Sequence, residues 1–163
     1  MKEQKDLKKQ LNFYYNRAKK LEPFSCPIKT KNPGAIGIEI QNKIMPNAHN
    51  KNKADIPNLV ELKSKNIKSN GTLSLAKYNN PKSTFNNTFN KVKDNLMLIY
   101  WKKLKNKIHP IKIELYSKLD KSLFAIYCSE VRRKAIINCT VQASKLKVIY
   151  NKHKIYYYEK KVS

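Results

Sequence analysis

Apolar positions near the start of the chain recur at helical spacing. Side chains three or four residues apart, at positions 7, 11, 14 or 15, 18 and 21, predict an amphipathic helix over residues 4–21 that ends before Pro23. A second helix is predicted with Asn32 as its N-cap, Pro33 at its first position and Pro46 after its end. Its buried stripe would consist of Ile36, Ile40 and Ile44.

The pattern then changes to alternation, which is typical of half-buried strands. Val60 to Ser64 predicts a strand, residues 69–71 (Ser-Asn-Gly) predict a turn, and Thr72 to Tyr78 predicts the hairpin partner of that strand. Residues 79–91 are polar and indicate a short helix at most.

The second half of the chain favours further strands. The continuous apolar run from Leu96 to Trp101 predicts a buried strand, and residues 111–116 and 123–128 are two more candidates. Residues 141–158 predict a closing hairpin with Lys152 at its turn. These elements indicate an α/β fold with a mixed sheet, and no linker is long enough to divide the chain.

Length, composition and charge restrict the class of protein and the kind of partner it binds. The 163 residues fit one domain, and 40% hydrophobic with 28% charged residues is a globular composition. The net charge of +24 favours a polyanionic partner. Lysines outnumber arginines by 32 to three, so AT-rich codon usage with a solvated surface is an alternative explanation.

Cysteine usage and the N-terminal residues bear on location. The three cysteines, at positions 26, 128 and 139, are odd in number and have neither CxxC nor zinc-ligand spacing. The first residues are charged rather than apolar, and no run approaches 18 apolar residues. We therefore expect a cytoplasmic, reducing environment and no membrane association.

One short segment carries most of the candidate chemistry. Asp55 precedes Glu61 and Lys63, an aspartate followed by Glu-x-Lys, and alternation on a strand puts Glu61 and Lys63 on one face about 6.5–7 Å apart. Two carboxylates and the carbonyl of Leu62 are hard oxygen ligands that suit Mg²⁺, with Mn²⁺ as a substitute. Such a site with an adjacent ammonium suits phosphodiester hydrolysis.

The same triplet has a simpler interpretation. In a chain so rich in lysine, Glu-x-Lys occurs by chance, and such a pair on a strand commonly belongs to a solvated face. The neighbouring sequence adds specificity to the triplet.

The order of motifs resembles the MutH and MvaI/BcnI group of PD-(D/E)xK nucleases. The resemblance rests on residues 34–41 (GAIGIEIQ), Asp55, residues 59–64 (LVELKS) and residues 69–75 (SNGTLSL). It implies a restriction-endonuclease-like mixed β-sheet flanked by helices, with an N-terminal helix before the core. It also implies Mg²⁺-dependent cleavage or nicking of double-stranded DNA in a restriction or DNA repair system, with no small-molecule cofactor.

The resemblance also assigns residues. Asp55, Glu61 and Lys63 would be catalytic, and Asp55 and Glu61 would bind the metal with the carbonyl of Leu62. The family has a glutamate where this chain has Gln41, which adds no charge. Glu39 is about 200° away around the helix. It remains a candidate auxiliary ligand, with an exposed helix carboxylate as the simpler interpretation.

The resemblance divides the single domain, residues 1–163, into three parts. Residues 1–22 form the N-terminal helix, residues 33–105 form the catalytic core, and residues 106–163 form C-terminal strands that match the family poorly. The oligomeric state is not fixed by the sequence, although a monomer is favoured.

Basic residues outside the triplet are candidates for DNA contact, and solvated surface lysine is an equal alternative for each lysine. They are Lys65, Lys68, Lys77, Arg132 and Arg133. The leading hypothesis is a metal-dependent DNA endonuclease. A non-catalytic or degenerate basic DNA- or RNA-binding protein on the same scaffold is the main alternative, and an unrelated basic structural protein is the third.

Overall fold

The computed structural model describes residues 2–26, 34–45, 59–68, 71–79 and 82–158. The helices are α1 (Lys2–Lys19), α2 (Gly34–Ile44), α3 (Thr84–Val92), α4 (Lys121–Tyr127) and α5 (Leu146–Ile149). The strands are β1 (Phe24–Ser25), β2 (Glu61–Asn66), β3 (Thr72–Tyr78), β4 (Asn95–Leu104), β5 (Lys107–Leu119), β6 (Ser129–Arg133), β7 (Ile136–Gln142) and β8 (Tyr150–Tyr157). Within these ranges, no helix combines the length and apolar character needed to cross a membrane.

A mixed five-stranded sheet forms the centre of the molecule. Strand β4 lies between β2, to which it is parallel, and β5, to which it is antiparallel. The other edge of β5 pairs with β1 near its start and with β8 further along. Among the described strands, β2 therefore lies at an edge of this sheet.

Both faces of this sheet are covered, which explains the continuous apolar run in β4. Met97 and Ile99 pack with α1 and α2 on one face, in what we call the first core. Leu96 and Leu98 pack on the other face, in the second core, with side chains of α3, α4 and α5. All four side chains are fully buried. A strand buried on both faces has no polar alternation.

The two predicted N-terminal helices are confirmed. Helix α1 covers the predicted span apart from its ends, and Ala18 and Leu21 pack in the first core. Ile40 and Ile44 of α2 are buried there as expected. The proposed cap at Asn32 and Pro33 lies outside the described residues.

The predicted hairpin between β2 and β3 is wrong. Strand β3 has the predicted bounds but belongs to a second, three-stranded antiparallel sheet in the order β3-β7-β6. Leu73 and Leu75 of β3 and Val141 of β7 pack into the second core. The alternation in β3 places its apolar residues on one side whether β3 pairs with β2 or with β7. The local pattern therefore does not determine which strand is the partner.

A strand was predicted over residues 123–128. Residues 123–127 instead belong to helix α4. Asp120 is the N-cap of α4, and its Oδ1 accepts a hydrogen bond from the Leu123 backbone N–H at 2.9 Å. Phe124 is fully buried and packs against Phe85 and Phe89 of α3, with ring centroids 5.3 and 6.1 Å away. A short apolar run does not distinguish helix from strand, so the cap and these contacts decide.

The predicted closing hairpin over residues 141–158 is also wrong. Val141 lies near the end of β7 in the second sheet, and the turn Ala143–Lys145 and helix α5 then lead to β8 in the first sheet. Lys152 lies inside β8, opposite Ser117 of β5. The two apolar ends of this segment therefore belong to different sheets.

The cap of α4 gives a direct test of the helix. We expect Asp120→Ala to lower the free energy of unfolding by about 0.5–2 kcal/mol, because the Leu123 amide loses its acceptor. Urea denaturation followed by circular dichroism measures this change. Ser122→Ala is the control, since Ser122 is exposed in the same turn and should change stability by less than about 0.5 kcal/mol. Equal losses in both variants would contradict the cap.

Candidate active site

The register of β2 on β4 decides which way each β2 side chain points. Glu61 lies opposite Leu96 and Lys63 lies opposite Leu98, so both point toward the second core. Leu62 points to the other face and packs in the first core. The predicted pairing of Glu61 and Lys63 on one face is therefore present at the edge of the sheet.

Helix α2 approaches this edge closely at a glycine. A Cβ atom at Gly37 would lie 3.1 Å from the Ser64 Oγ, so the absence of a side chain permits the contact. Gln41 follows one helical turn later. It lines a cleft of about 220 Å³ together with Glu61, Leu62 and Lys63. The helix and the strand thus bring Gln41 to the Glu-x-Lys segment.

Glu61 is a buried carboxylate with two lysine partners. Only 2% of its side chain is exposed, and its Oε2 lies 3.5 Å from the Nζ of Lys63 and 3.1 Å from the Nζ of Lys91. Burial of a carboxylate is costly unless it is paired with a positive charge. The two ammonium groups provide that compensation.

Sequence reasoning missed Lys91. The residue lies in α3, and its side chain is only 10% exposed. Thr84, Thr88 and Val92 form the buried stripe of α3 at intervals of four. Lys91 is three residues after Thr88, at a position that also faces inward. A lysine next to such a stripe is the signal that could have identified it.

Burial also affects ionisable groups near the cleft. Burial lowers the pKa of Lys65, whose Nζ donates a hydrogen bond to the Thr72 carbonyl at 2.8 Å. Burial raises the pKa of Tyr150, and the negative charges of Glu61 and Asp94 add to the increase.

Comparisons with known proteins bear on the fold. The sequence matches no family model and no curated protein. Among solved structures, the restriction endonuclease MvaI in complex with its cognate DNA substrate is similar, with a TM-score of 0.62 and 11% sequence identity. The match covers 91% of this chain and 97% of that chain. The fold is restriction-endonuclease-like.

The comparison confirms the expected fold class, a mixed sheet flanked by helices with an N-terminal helix. At this level of identity the likeness shows the fold alone. Membership of the MutH and MvaI/BcnI group stays a prediction from the sequence.

The structure brings some predicted site residues to the cleft and leaves others elsewhere. Asp55 lies outside the described residues. Glu39 does not line the cleft; its Oε1 lies 3.6 Å from the Nζ of Lys43, and 46% of its side chain is exposed. This contact supports the simpler interpretation of Glu39, an exposed helix carboxylate.

The candidate DNA-contact residues are spread over both sheets. Lys65 is close to the cleft on β2, and Lys68 is exposed just after that strand. Lys77 is exposed on β3, and Arg132 and Arg133 are exposed on β6, so these three belong to the second sheet. They are not part of the cleft.

Three residues that line the cleft carry oxygen atoms of the kinds that bind hard divalent cations. Glu61 contributes a carboxylate, Gln41 an amide carbonyl and Leu62 a backbone carbonyl, all of which are ligand types that Mg²⁺ accepts. Among the described residues, no group of three or more His, Cys, Asp or Glu side chains is placed to hold a metal. A second carboxylate would have to come from Asp55.

The buried charges at Glu61 can be tested by a double-mutant cycle. We expect Glu61→Gln and Lys91→Met to show a coupling energy of about 1–3 kcal/mol in urea unfolding, because both charged groups are buried. The control is the exposed pair of Glu39 and Lys43, where the same substitutions should couple by less than about 0.5 kcal/mol. Equal coupling in the two cycles would contradict the proposed strength of the buried pair.

Proposed function

We propose that the protein is a metal-dependent DNA endonuclease that hydrolyses phosphodiester bonds in duplex DNA, of restriction or mismatch-repair type. The observation that carries this proposal is the meeting of Glu61, Lys63 and Gln41 at one cleft. Glu61 and Lys63 are two of the three residues of the Asp…Glu-x-Lys pattern in the sequence. The similar solved structure, a restriction endonuclease with its DNA substrate, supports DNA as the substrate.

Each side chain at the cleft has a role in this reaction. Glu61 and Asp55 would hold Mg²⁺, with the Leu62 carbonyl as a further ligand. When bound, the ion would polarise the scissile phosphate and lower the pKa of a bound water. Lys63 is partly exposed at the cleft, so its ammonium can reach a phosphate and stabilise the negative charge that develops in the transition state. The Gln41 amide can orient a water by hydrogen bonding.

Lys91 is a positioning residue in this scheme. Its ammonium lies closer to Glu61 Oε2 than that of Lys63 and is more buried. It therefore holds the Glu61 carboxylate in place, while Lys63 lines the cleft. This division of roles explains why two lysines meet one glutamate.

The surface next to the cleft suits a nucleic acid backbone. The cleft continues past Ser64 into a groove of about 490 Å³ that includes Lys65, Trp101 and the first residue of α2, Gly34. Backbone N–H groups at a helix N-terminus and a lysine favour phosphate. The net charge of +24 adds long-range attraction for DNA.

A non-catalytic DNA- or RNA-binding protein is the second candidate function. Two observations favour it: Gln41 brings no negative charge to the cleft, and Glu61 is already compensated by two ammonium groups. Both features lower the attraction of the cleft for a divalent cation. A binding protein of this kind would retain the scaffold and the basic surface.

Cleavage of plasmid DNA separates the two functions. We expect the protein to nick or cut plasmid DNA with Mg²⁺ or Mn²⁺ and to stop with EDTA. Lys63→Ala and Asp55→Ala should each reduce the rate by about 100-fold or more, because each removes charge that acts on the transition state. Gel-shift affinity should change much less, since one charge among many is lost.

Lys147→Ala is the matched control for Lys63→Ala, because Lys147 is an exposed lysine on α5. It should cut like the unchanged protein. A protein that shifts DNA in gels but leaves it intact with every metal would support the binding function instead.

Replacing Gln41 adds the missing carboxylate to the cleft. We expect Gln41→Glu to lower the Mg²⁺ concentration for half-maximal cleavage and to raise the rate, since the cleft gains a negative charge. Asn42→Asp adds the same charge at an exposed neighbouring position of α2 and should have little effect. If both variants respond alike, the effect is one of net charge and the proposed position of residue 41 is wrong.

A further inference from the structure

The outward side of the three-stranded sheet forms a second surface with both basic and apolar side chains, which we call the reading face. Lys77 of β3, Asn138 of β7 and Val131 of β6 lie opposite one another in one row across the sheet. Arg133 and Ile136 form the next row of the β6–β7 hairpin. These five side chains line a shallow cavity of about 500 Å³.

A β-bulge helps to place the basic residue of β3 on this face. The register between β3 and β7 shifts between Ser74 and Ala76. Leu75 and Ala76 are therefore both buried on the inner side, while Ser74 lies opposite Thr140 and Lys77 is exposed. Without the bulge, strict alternation after Ser74 would turn Lys77 inward.

The charge on the reading face is of one sign. Lys77 and Arg133 are its cationic side chains. The one acidic residue of β6, Glu130, lies on the inner side, where its Oε1 accepts a hydrogen bond from Thr84 Oγ1 of α3 at 2.7 Å. The residues that line the cavity include no carboxylate. Such a face is complementary to the negative potential of a nucleic acid groove.

The β6–β7 hairpin of the reading face has a width that suits the DNA major groove. Neighbouring strands are about 4.8 Å apart, so this two-stranded hairpin, which carries Arg133 and Asn138, is about 10 Å across when the width of both strands is counted. The major groove of B-form DNA is about 12 Å wide and accepts β-ribbons. The major groove of A-form RNA is deep and narrow, so side chains cannot read it. The sheet therefore fits duplex DNA better than duplex RNA.

The side chains on this face are of the types that read base edges. A guanidinium such as that of Arg133 forms a bidentate pair with guanine, and an amide such as that of Asn138 forms one with adenine. The Ser74 hydroxyl donates to Asn138 Oδ1 at 2.6 Å, which holds the amide in place. Val131 and Ile136 are 43% and 45% exposed, so their apolar surfaces are open to contact with thymine methyl groups.

The reading face begins next to the candidate active site. Thr72, which lines the cavity, accepts a hydrogen bond on its carbonyl from the Nζ of Lys65. Lys65 is two residues after Lys63 on the same side of β2, about 6.5–7 Å along the strand. One duplex in contact with the cleft is therefore within reach of the second sheet.

We propose that the outward face of the β3-β7-β6 sheet reads base edges in the DNA major groove, with Arg133 and Asn138 as specificity-determining residues. This inference rests on the proposed function for its substrate, duplex DNA. It goes beyond it because it assigns sequence recognition to a separate surface.

The test is a comparison of two neighbouring arginines that face opposite sides of β6. Random duplex DNA is selected for binding in EDTA, where cleavage is absent, and the dissociation constants of the best site and its single-base variants are measured at fixed salt. We expect Arg133→Lys to keep the charge but to lose discrimination at one base position by roughly 5- to 150-fold, because the bidentate pair is lost. Asn138→Ala should lose discrimination at a different position.

Arg132→Lys is the matched control, because Arg132 lies opposite the buried Ile137 and does not line the cavity. It should leave the selected sequence unchanged. The inference is overturned if the unchanged protein selects no sequence, if Arg132→Lys and Arg133→Lys have equal effects, or if duplex RNA of the same sequence binds as tightly.

These results are independent of cleavage. Sequence selection that depends on Arg133, without hydrolysis under any metal, would support the reading face and overturn the nuclease. Cleavage of DNA without any effect of Arg133→Lys would do the reverse.

Discussion

The parallel register of β2 on β4 is the constraint on which the candidate site depends. It directs Glu61 and Lys63 toward α3 and Leu62 toward the first core. A shift of one residue would exchange these two sets, turning the glutamate and the lysine into the first core and the leucine toward the second core. Because Leu62 packs beside Met97 and Ile99, the apolar packing of one face fixes the position of the charges on the other.

Burial then sets how the charges at the cleft interact. Glu61 is almost fully enclosed, so its attraction to Lys91 and Lys63 is less screened than an attraction between surface groups. The same enclosure makes an unpaired carboxylate costly. The two lysines come from different elements, α3 and β2, and the carboxylate therefore ties the second core to the sheet edge.

Elements with strong local signals were predicted correctly from the sequence. Predictions were wrong for elements whose structure or pairing depends on contacts with residues far away in the chain. The apolar spacing of α1 and the buried run in β4 are local properties, and the strand alternation that pairs Glu61 with Lys63 is another. The partner of β3 depends on a β7 strand more than 60 residues away. Helix α4 depends on the packing of Phe124 against α3. The pairing of Lys91 with Glu61 depends on the position of α3 over β2, which no pattern within either element reveals.

The three arginines of this lysine-rich chain are placed differently from one another. Arg17 of α1 donates a hydrogen bond from its Nη2 to the Lys43 carbonyl at the end of α2, so it links two helices. Arg132 and Arg133 lie side by side on the exposed strand β6, and only Arg133 lines the cavity of the reading face. A lysine can supply positive charge near a phosphate, but it lacks the planar fork with which a guanidinium forms a bidentate pair with guanine. At position 133, the need for a positive charge alone therefore does not explain why the residue is an arginine. The proposed division between a hydrolytic edge on the mixed sheet and a reading surface on the small sheet would account for it.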